Sequence, residues 1–296
     1  MGWLMESKGF KLNNGILLPA VGYGTCRRNL EEDYVEVVCN AIDAGYRYFD
    51  TASFYETERM LGEGVRKSGI DRKDIFIATK AWREETGYEE TKAAIERSLE
   101  RLNLDYIDIY FIHWPKKTND DPTWKENVVA TWKAMEEYHA KGLIKSLALS
   151  NFLPHHLDVI LDNCTVKPVV DQLELHLGYT QEYALNYVQS KGIQLQAWSP
   201  MGRGKVEFTE SEIIKQMAAK YNVNNQKLSL RYLYQRGIMP IAQTSNIDHM
   251  KANLDIFDFE ISKEDMSILS CMPQAGWLGE HPDFNVPVNK HFNLNQ

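Results

Sequence analysis

Four times along this chain a stretch with helical periodicity runs into a glycine and then directly into an apolar run of strand length. The joints are Glu31–Ala44 with Gly45, Trp124–Lys141 with Gly142, Thr180–Lys191 with Gly192, and Leu228–Arg236 with Gly237. A glycine in the left-handed conformation ends a helix at no steric cost, so each joint reads as a helix handing over to a strand. Glu89–Leu104, with Ile95, Leu99 and Leu102 on one face, makes the same passage without a glycine. Strands are expected to start near positions 18, 46, 75, 106, 144, 168, 193 and 238, which makes eight. Their near-continuous apolar character suits strands covered on both faces. Strands that alternate with helices build a parallel sheet.

Such a sheet is either open or closed. The open, doubly wound form normally holds a dinucleotide on a GxGxxG turn. Gly22-x-Gly24, Gly62-x-Gly64 and Gly202-x-Gly204 all lack the third glycine, and there is no Walker loop. The expected fold is therefore the closed (β/α)8 TIM barrel, for which 296 residues is an ordinary length. Asn14-Gly15 inside Phe10–Pro19 is a strong hairpin signal, and a hairpin ahead of the first barrel strand, Leu18–Thr25, is placed to close one end. No linker composition divides the chain, so residues 1–296 read as one domain.

Charge and cysteine content narrow the function classes. A net charge of −8 lacks the basic stripe of a nucleic-acid binder. No apolar run approaches the ~18 residues of a membrane span, and MGWLMESK lacks a secretory pattern. Cys26, Cys39, Cys164 and Cys271 are far apart with no CxxC, which points to reduced thiols, no metal centre and a cytoplasmic location.

The chemistry concentrates at strand ends. In Arg47–Glu58 (RYFDTASFYETE), Asp50 ends the strand Tyr46–Phe49 and Tyr55 follows in a small polar loop. Phe76–Lys80 ends in a lysine and Tyr106–His113 in a histidine. Each residue alone has a bland reading: a loop tyrosine packs, a strand-end lysine reaches solvent, a histidine before Trp-Pro is half-buried. Together, Asp50, Tyr55, Lys80 and His113 sit at or just past three consecutive strand ends, where a barrel keeps its active site. A phenol, with an ordinary pKa near 10, needs help to move a proton at neutral pH. An ammonium at Lys80, held by Asp50, is expected to lower that pKa, while neutral His113 donates a hydrogen bond to an oxygen shared with Tyr55. The set suits protonation of a carbonyl oxygen. No GxSxG and no cysteine beside a histidine offers a nucleophile, so the reducing equivalent comes from elsewhere. The polar stretches Pro115–Pro122 and Gly202–Glu212, and the tail from Pro273 with Trp277, Phe284 and Phe292, are expected to wall one mouth.

The segments GYRYFDTASFYETERMLGEGVRKS, IFIATKAW, RLNLDYIDIYFIHWP, LALSNF, DQLELH and AWSPMGRG together resemble the aldo-keto reductase superfamily, and most closely its 2,5-diketo-gluconate reductase-like group. The match runs in order and spacing from Asn14-Gly15 to at least Asn253. The resemblance implies reduction of aldehydes and ketones with NADPH or NADH, bound without a Rossmann motif. It implies that Tyr55 is the proton donor, tuned by Lys80 and Asp50, and that His113 orients the carbonyl. Ser150, Asn151 and Gln172 match positions that hold the nicotinamide carboxamide, with Thr25 and Asp50 beside them. Trp198 falls where the family usually stacks a tyrosine on the nicotinamide. Ser199, Met201, Gly202 and Arg203 match the pyrophosphate segment, and Trp82 and Trp114 match substrate-pocket aromatics.

One stretch departs from the pattern. Where the family usually reads like IPKS, followed five residues later by an arginine, this chain has IAQTSNIDHM. Gln243, next to Thr244, replaces the lysine and His249 the arginine, so both fixed charges that grip the 2′-phosphate of NADP are lost. Ala252 replaces the glutamate that usually precedes the late asparagine, whereas Asn253 remains to meet adenine. NADPH preference is expected to weaken, with Lys251 or Arg203 as the available compensation. The partner class is a small-molecule carbonyl compound, and the chain is expected to be a monomer or weak homodimer. The rival reading, a cofactor-binding regulatory barrel with little turnover, is disfavoured because all four catalytic positions are intact.

Overall fold

In this computed structural model, which describes residues 8–26, 32–274, 278 and 280–284, eight parallel strands close into a barrel. A two-stranded hairpin, β1 (Phe10–Lys11) and β2 (Leu17–Leu18), precedes it. The barrel strands are β3 (Gly22–Gly24), β4 (Tyr48–Asp50), β5 (Phe76–Ala81), β6 (Ile107–Ile112), β7 (Ile144–Ser150), β8 (Val170–Glu174), β9 (Gln194–Trp198) and β10 (Ile238–Ala242). Each pairs with its chain neighbours, and β10 pairs back to β3 through Ile241 opposite Gly22. The outer layer is α1 (Tyr34–Ala44), α2 (Glu58–Ser68), α3 (Tyr88–Leu102), α4 (Trp124–Ala140), α5 (Pro154–Leu161), α6 (Glu182–Ser190), α7 (Val206–Thr209), α8 (Glu212–Lys220), α9 (Asn225–Gln235), α10 (Ile247–Leu254) and α11 (Lys263–Ser270). The closed (β/α)8 expectation is met, and seven of the eight expected strands start within about two residues of the positions read from sequence.

One boundary is corrected. The first barrel strand is Gly22–Gly24, not Leu18–Thr25, because Leu17–Leu18 is used by the hairpin, where Leu18 pairs with Phe10. The glycine joints hold, with Gly45, Gly142, Gly192 and Gly237 all at positive φ, and α3 ends instead on Asn103 at φ 51°. Helix α1 begins at Tyr34 behind an Asp33 cap, and Glu31 lies outside the described residues.

The hairpin seals the N-terminal end of the barrel. Asn13 Nδ2 donates to the Pro168 and Gly192 carbonyls, and Asn14 Nδ2 donates to Ser146 Oγ. Leu12 and Leu18 join Tyr48, Ala78, Ile109, Phe111, Ala148, Val170, Met239 and Ile241 in one buried cluster inside the strands. A larger apolar layer lies between strands and helices. The interior is thus greasy at the plugged end, which leaves the opposite mouth for polar groups.

Two glycines of the incomplete GxG motifs have a packing role. A Cβ at Gly62 in α2 would lie 2.0 Å from the Leu102 carbonyl oxygen at the end of α3, and one at Gly64 would lie 2.6 Å from the Val38 side chain in α1. Gly62→Ala is expected to destabilise the protein by about 3 kcal/mol through overpacking. Urea unfolding measures this, and an unchanged midpoint would show that α2 and α3 part freely.

Candidate active site

Side chains alternate along a strand, so the same parity that points Tyr48, Ala78 and Phe111 into the barrel carries Asp50, Lys80 and His113 to its upper rim. Asp50 and Lys80 are almost fully buried and ion-paired, Nζ to Oδ1, at 2.5 Å. Lys80 Nζ also donates to the Thr51 carbonyl at 3.0 Å. The other Asp50 oxygen accepts from Gln172 Nε2 at 2.9 Å, and Gln172 donates again to Gln196 Oε1 at 3.0 Å. Each buried charge therefore has a partner, as burial requires.

Tyr55 closes the short turn Ser53–Tyr55, its N–H bonded to the Ala52 carbonyl, and Glu56 at φ 56° redirects the chain into α2. Neighbouring Phe54 stacks on Trp82 with ring centroids 3.9 Å apart, which pins the turn to the end of β5. The Tyr55 hydroxyl lies 3.4 Å from His113 Nε2, and Lys80 Nζ lies 5.3 Å from the Tyr55 ring centroid. The four residues expected to act together are thus in one place.

Their electrostatics differ from expectation at one point. The Tyr55 phenol is held well above its ordinary pKa, chiefly because its hydroxyl end is buried, with the charges of Cys26 and Asp50 pushing the same way. The expected lowering by Lys80 is absent because that ammonium is matched by Asp50 and directed at Thr51. Burial also lowers Lys80 from its ordinary value, with Asp50 opposing. His113 is pushed well below the usual imidazole range, first by burial and then by the Lys80 and Arg83 charges. Tyr55 is therefore protonated and His113 neutral at physiological pH, the states a proton donor and a hydrogen-bond donor need.

A second group surrounds this set. Ser150 Oγ donates to the Gln172 carbonyl at 3.1 Å, and Asn151 Nδ2 donates to the His113 carbonyl at 3.0 Å and to Ser150 Oγ. Asn151 Oδ1 accepts from the Trp198 indole at 2.8 Å. Asn151, Ser199 and Arg203 all take positive φ, a conformation that costs energy outside glycine and collects at functional sites. Thr25 reaches the Asp50 strand end through its N–H and joins Thr57 and Thr51 in a buried hydroxyl chain. Arg203 donates to Ser199 Oγ and pairs with Glu280 at 3.3 Å, its guanidinium 5.4 Å from the Trp198 ring centroid. Gly202 is buried at φ 57°, where a Cβ would crowd Phe208, and Met201 packs on the core. Gln243, Thr244, His249 and Asn253 form a separate run beside Gly24. Gln243 packs near Gly24, the Thr244 carbonyl accepts from Tyr23, His249 is exposed in the first turn of α10, and Asn253 is buried.

The Pro115–Pro122 stretch meets the described part of the tail. Asp283 is held by Lys116, His155 and His156 at 2.5, 3.1 and 2.9 Å. The Leu153 N–H donates to His156 Nδ1, so His156 carries its proton on Nε2 and donates it to Asp283. That leaves no lone pair there for a metal ion. Phe284 is 64% exposed, and Trp277 and Phe292 lie outside the described residues. Trp82 meets His113 edge-on at 4.9 Å, and Trp114 lies roughly parallel to it at 6.5 Å.

Several supporting residues escaped the sequence reading. Glu85 accepts from Ser53 Oγ, the Trp82 N–H and Arg97, and so braces the Tyr55 turn. Buried Glu58 accepts from Thr79 and Arg101 behind β5. Gln196 had a visible signal, since Gln194-x-Gln196-x-Trp198 alternates toward the barrel interior. Glu58 and Glu85 had none, because their partners are distant in sequence.

A model of the aldo/keto reductase family matches residues 20–271. The chain belongs to that family. As an aldo/keto reductase it is an NAD(P)H-dependent carbonyl oxidoreductase. Among relatives, the glyoxal reductase of Bacillus subtilis is 39% identical over 273 residues, 92% of this chain and 95% of the relative. An aldo-keto reductase from a Medee basin deep-sea metagenome library superposes with TM-score 0.86 at 32% identity, covering 94% of this chain and 99% of that one. The Bombyx mori aldo-keto reductase solved in complex with NADP gives TM-score 0.82 at 30% identity, covering 90% and 92%. Among the described residues no helix of this aldo/keto reductase is long and apolar enough to cross a membrane.

Proposed function

We propose that this aldo/keto reductase protonates a carbonyl oxygen from Tyr55 while His113 orients it, and that Ser150, Asn151, Gln172 and Trp198 hold the nicotinamide. The observation that carries this reading is the 3.4 Å approach of the Tyr55 hydroxyl to His113 Nε2 beside a buried Lys80–Asp50 pair. The chemistry of the surrounding groups fits the cofactor. Gln172 uses its Nε2 on Asp50 and Gln196, which leaves Oε1 to accept from a carboxamide. Trp198 offers an aromatic face fixed by its bond to Asn151. The nicotinamide, when bound, supplies the hydride. His113, neutral, donates its Nε2–H to the carbonyl oxygen, and Tyr55 releases its proton to that oxygen as negative charge develops there. The phenolate left behind lies beside the Lys80–Asp50 pair and within 3.4 Å of His113 Nε2. Oxidation of NADPH by a simple aldehyde tests the reading, and cofactor binding without turnover would return the regulatory barrel.

The cofactor preference follows from the run after β10. Gln243 and His249 stand where fixed cations are usual, and Asp248 adds an acid in the first turn of α10. Arg203 is engaged with Glu280 and Trp198 on the pyrophosphate side. NADPH preference is therefore weak and NADH is used. Comparing kcat/KM for the two cofactors tests this. A ratio under about a hundred, equivalent to about 2.7 kcal/mol, is expected, and a larger preference for NADPH contradicts it. Kinship with the 2,5-diketo-gluconate reductase-like group, a cytoplasmic location and a monomeric or weakly dimeric state complete the reading.

A further inference from the structure

Arg83 opens the turn Arg83–Glu85 directly after Trp82 at the end of β5. Its guanidinium carbon lies 4.3 Å from the Trp114 ring centroid and 5.9 Å from that of Trp82. Trp82 in turn meets His113 at 4.9 Å. Trp82 is thus a common neighbour of the cation and of the histidine that faces Tyr55. Among the described residues its side chain makes one hydrogen bond, Nη1 to Asn119 Oδ1 at a long 3.4 Å, and its Nε is buried with no partner.

Some of the described arginines, Arg72, Arg97, Arg101, Arg203 and Arg236, have a carboxylate partner. Arg47, Arg66 and Arg231 rest on carbonyl or amide oxygens instead, whereas Arg83 has only its one long bond. Among the described residues no carboxylate is within ion-pair distance of Arg83: Glu85 is engaged by Ser53, Trp82 and Arg97 and Glu280 by Arg203, while the Glu280 and Glu84 charges act on the guanidinium from further off. A guanidinium keeps its charge in proteins, and a half-buried one without a counter-ion is costly unless an anion arrives. Its planar fork, flanked by indole faces, suits bidentate recognition of a carboxylate.

We propose that Arg83 recognises a carboxylate on the substrate, so that the preferred substrates are aldehydes or ketones carrying a carboxylate about one aromatic ring's width from the carbonyl carbon. The proposal rests on the carbonyl-reductase reading of the site. One cation balances one negative charge, and Trp82 is the partly exposed aromatic between the two ends, while buried Trp114 backs the guanidinium.

The test compares 4-carboxybenzaldehyde with its neutral methyl ester, in the full-length protein and in Arg83→Gln and Arg83→Lys. The unaltered protein is expected to prefer the carboxylate in kcat/KM by roughly 10–100-fold, the range of one charge-assisted hydrogen-bonded pair. Arg83→Gln is expected to raise KM for the carboxylate at least tenfold more than for the ester, and Arg83→Lys to recover part of the loss. Equal losses on both substrates would make Arg83 a mere prop for Trp114 and would overturn the proposal. If neither aldehyde is reduced, the reductase reading falls, and calorimetric titration still decides the recognition. Tighter binding of the carboxylate than of the ester, lost in Arg83→Gln, supports the role of Arg83. Equal binding refutes it.

Discussion

Tyr55→Phe is expected to lower carbonyl reduction by about 10²–10⁴-fold, the range that general acid catalysis supplies, while NADPH still binds. The substitution removes one oxygen and leaves the ring against which Lys80 lies. Cofactor binding depends on other groups, so protein fluorescence should still report NADPH. A matching loss of binding would mean that Tyr55 builds the pocket and does not act as the acid. The pH profile gives an independent check. The phenol is held well above its ordinary pKa by burial, and His113 well below its own. The active forms are the protonated phenol, present below its pKa, and the neutral imidazole, present above its own. The reduction rate is therefore flat from about pH 6 to about pH 9, and alcohol oxidation, which needs the phenolate, rises with pH.

Lys80→Met carries the largest expected effect on stability. The side chain is fully buried, and its removal leaves the Asp50 carboxylate inside the barrel with Gln172 as its remaining side-chain partner. Breaking a buried pair from one side costs about 3–5 kcal/mol, because an uncompensated charge stays behind. Urea unfolding should show that loss alongside collapse of activity. The double variant Asp50→Asn/Lys80→Met should regain part of the stability and none of the turnover. A single variant within about 1 kcal/mol of the parent would mean that the pair is not enclosed as described.

The barrel and its chemistry were legible because both rest on short-range pattern. A glycine after a helical stretch announces a turn into a strand, and parity along an apolar strand says which end residue faces the interior. Asp50, Lys80 and His113 follow from their places at the ends of apolar runs, and Tyr55 from its place just past β4. Groups whose partners lie far along the chain left no such trace. Glu58 finds Arg101 across 43 positions and Glu85 finds Ser53 across 32, so both look like ordinary acids of a first helical turn. The protonation of Tyr55 was misread for the same reason. Sequence places an ammonium held by Asp50 near the phenol, but only the fold reveals that the Thr51 carbonyl claims it too and that burial governs the phenol. Leu18 reads as the start of the first barrel strand because an apolar residue beside a hairpin turn serves either role equally well until the barrel closes.

The most direct test is a crystal structure of the protein with NADP and a carbonyl analogue bound. The account predicts the carboxamide on Ser150, Asn151 and Gln172, the ring against Trp198, and one ligand oxygen within about 3 Å of both the Tyr55 hydroxyl and His113 Nε2. A nicotinamide bound elsewhere, or a ligand oxygen out of reach of Tyr55, would contradict it.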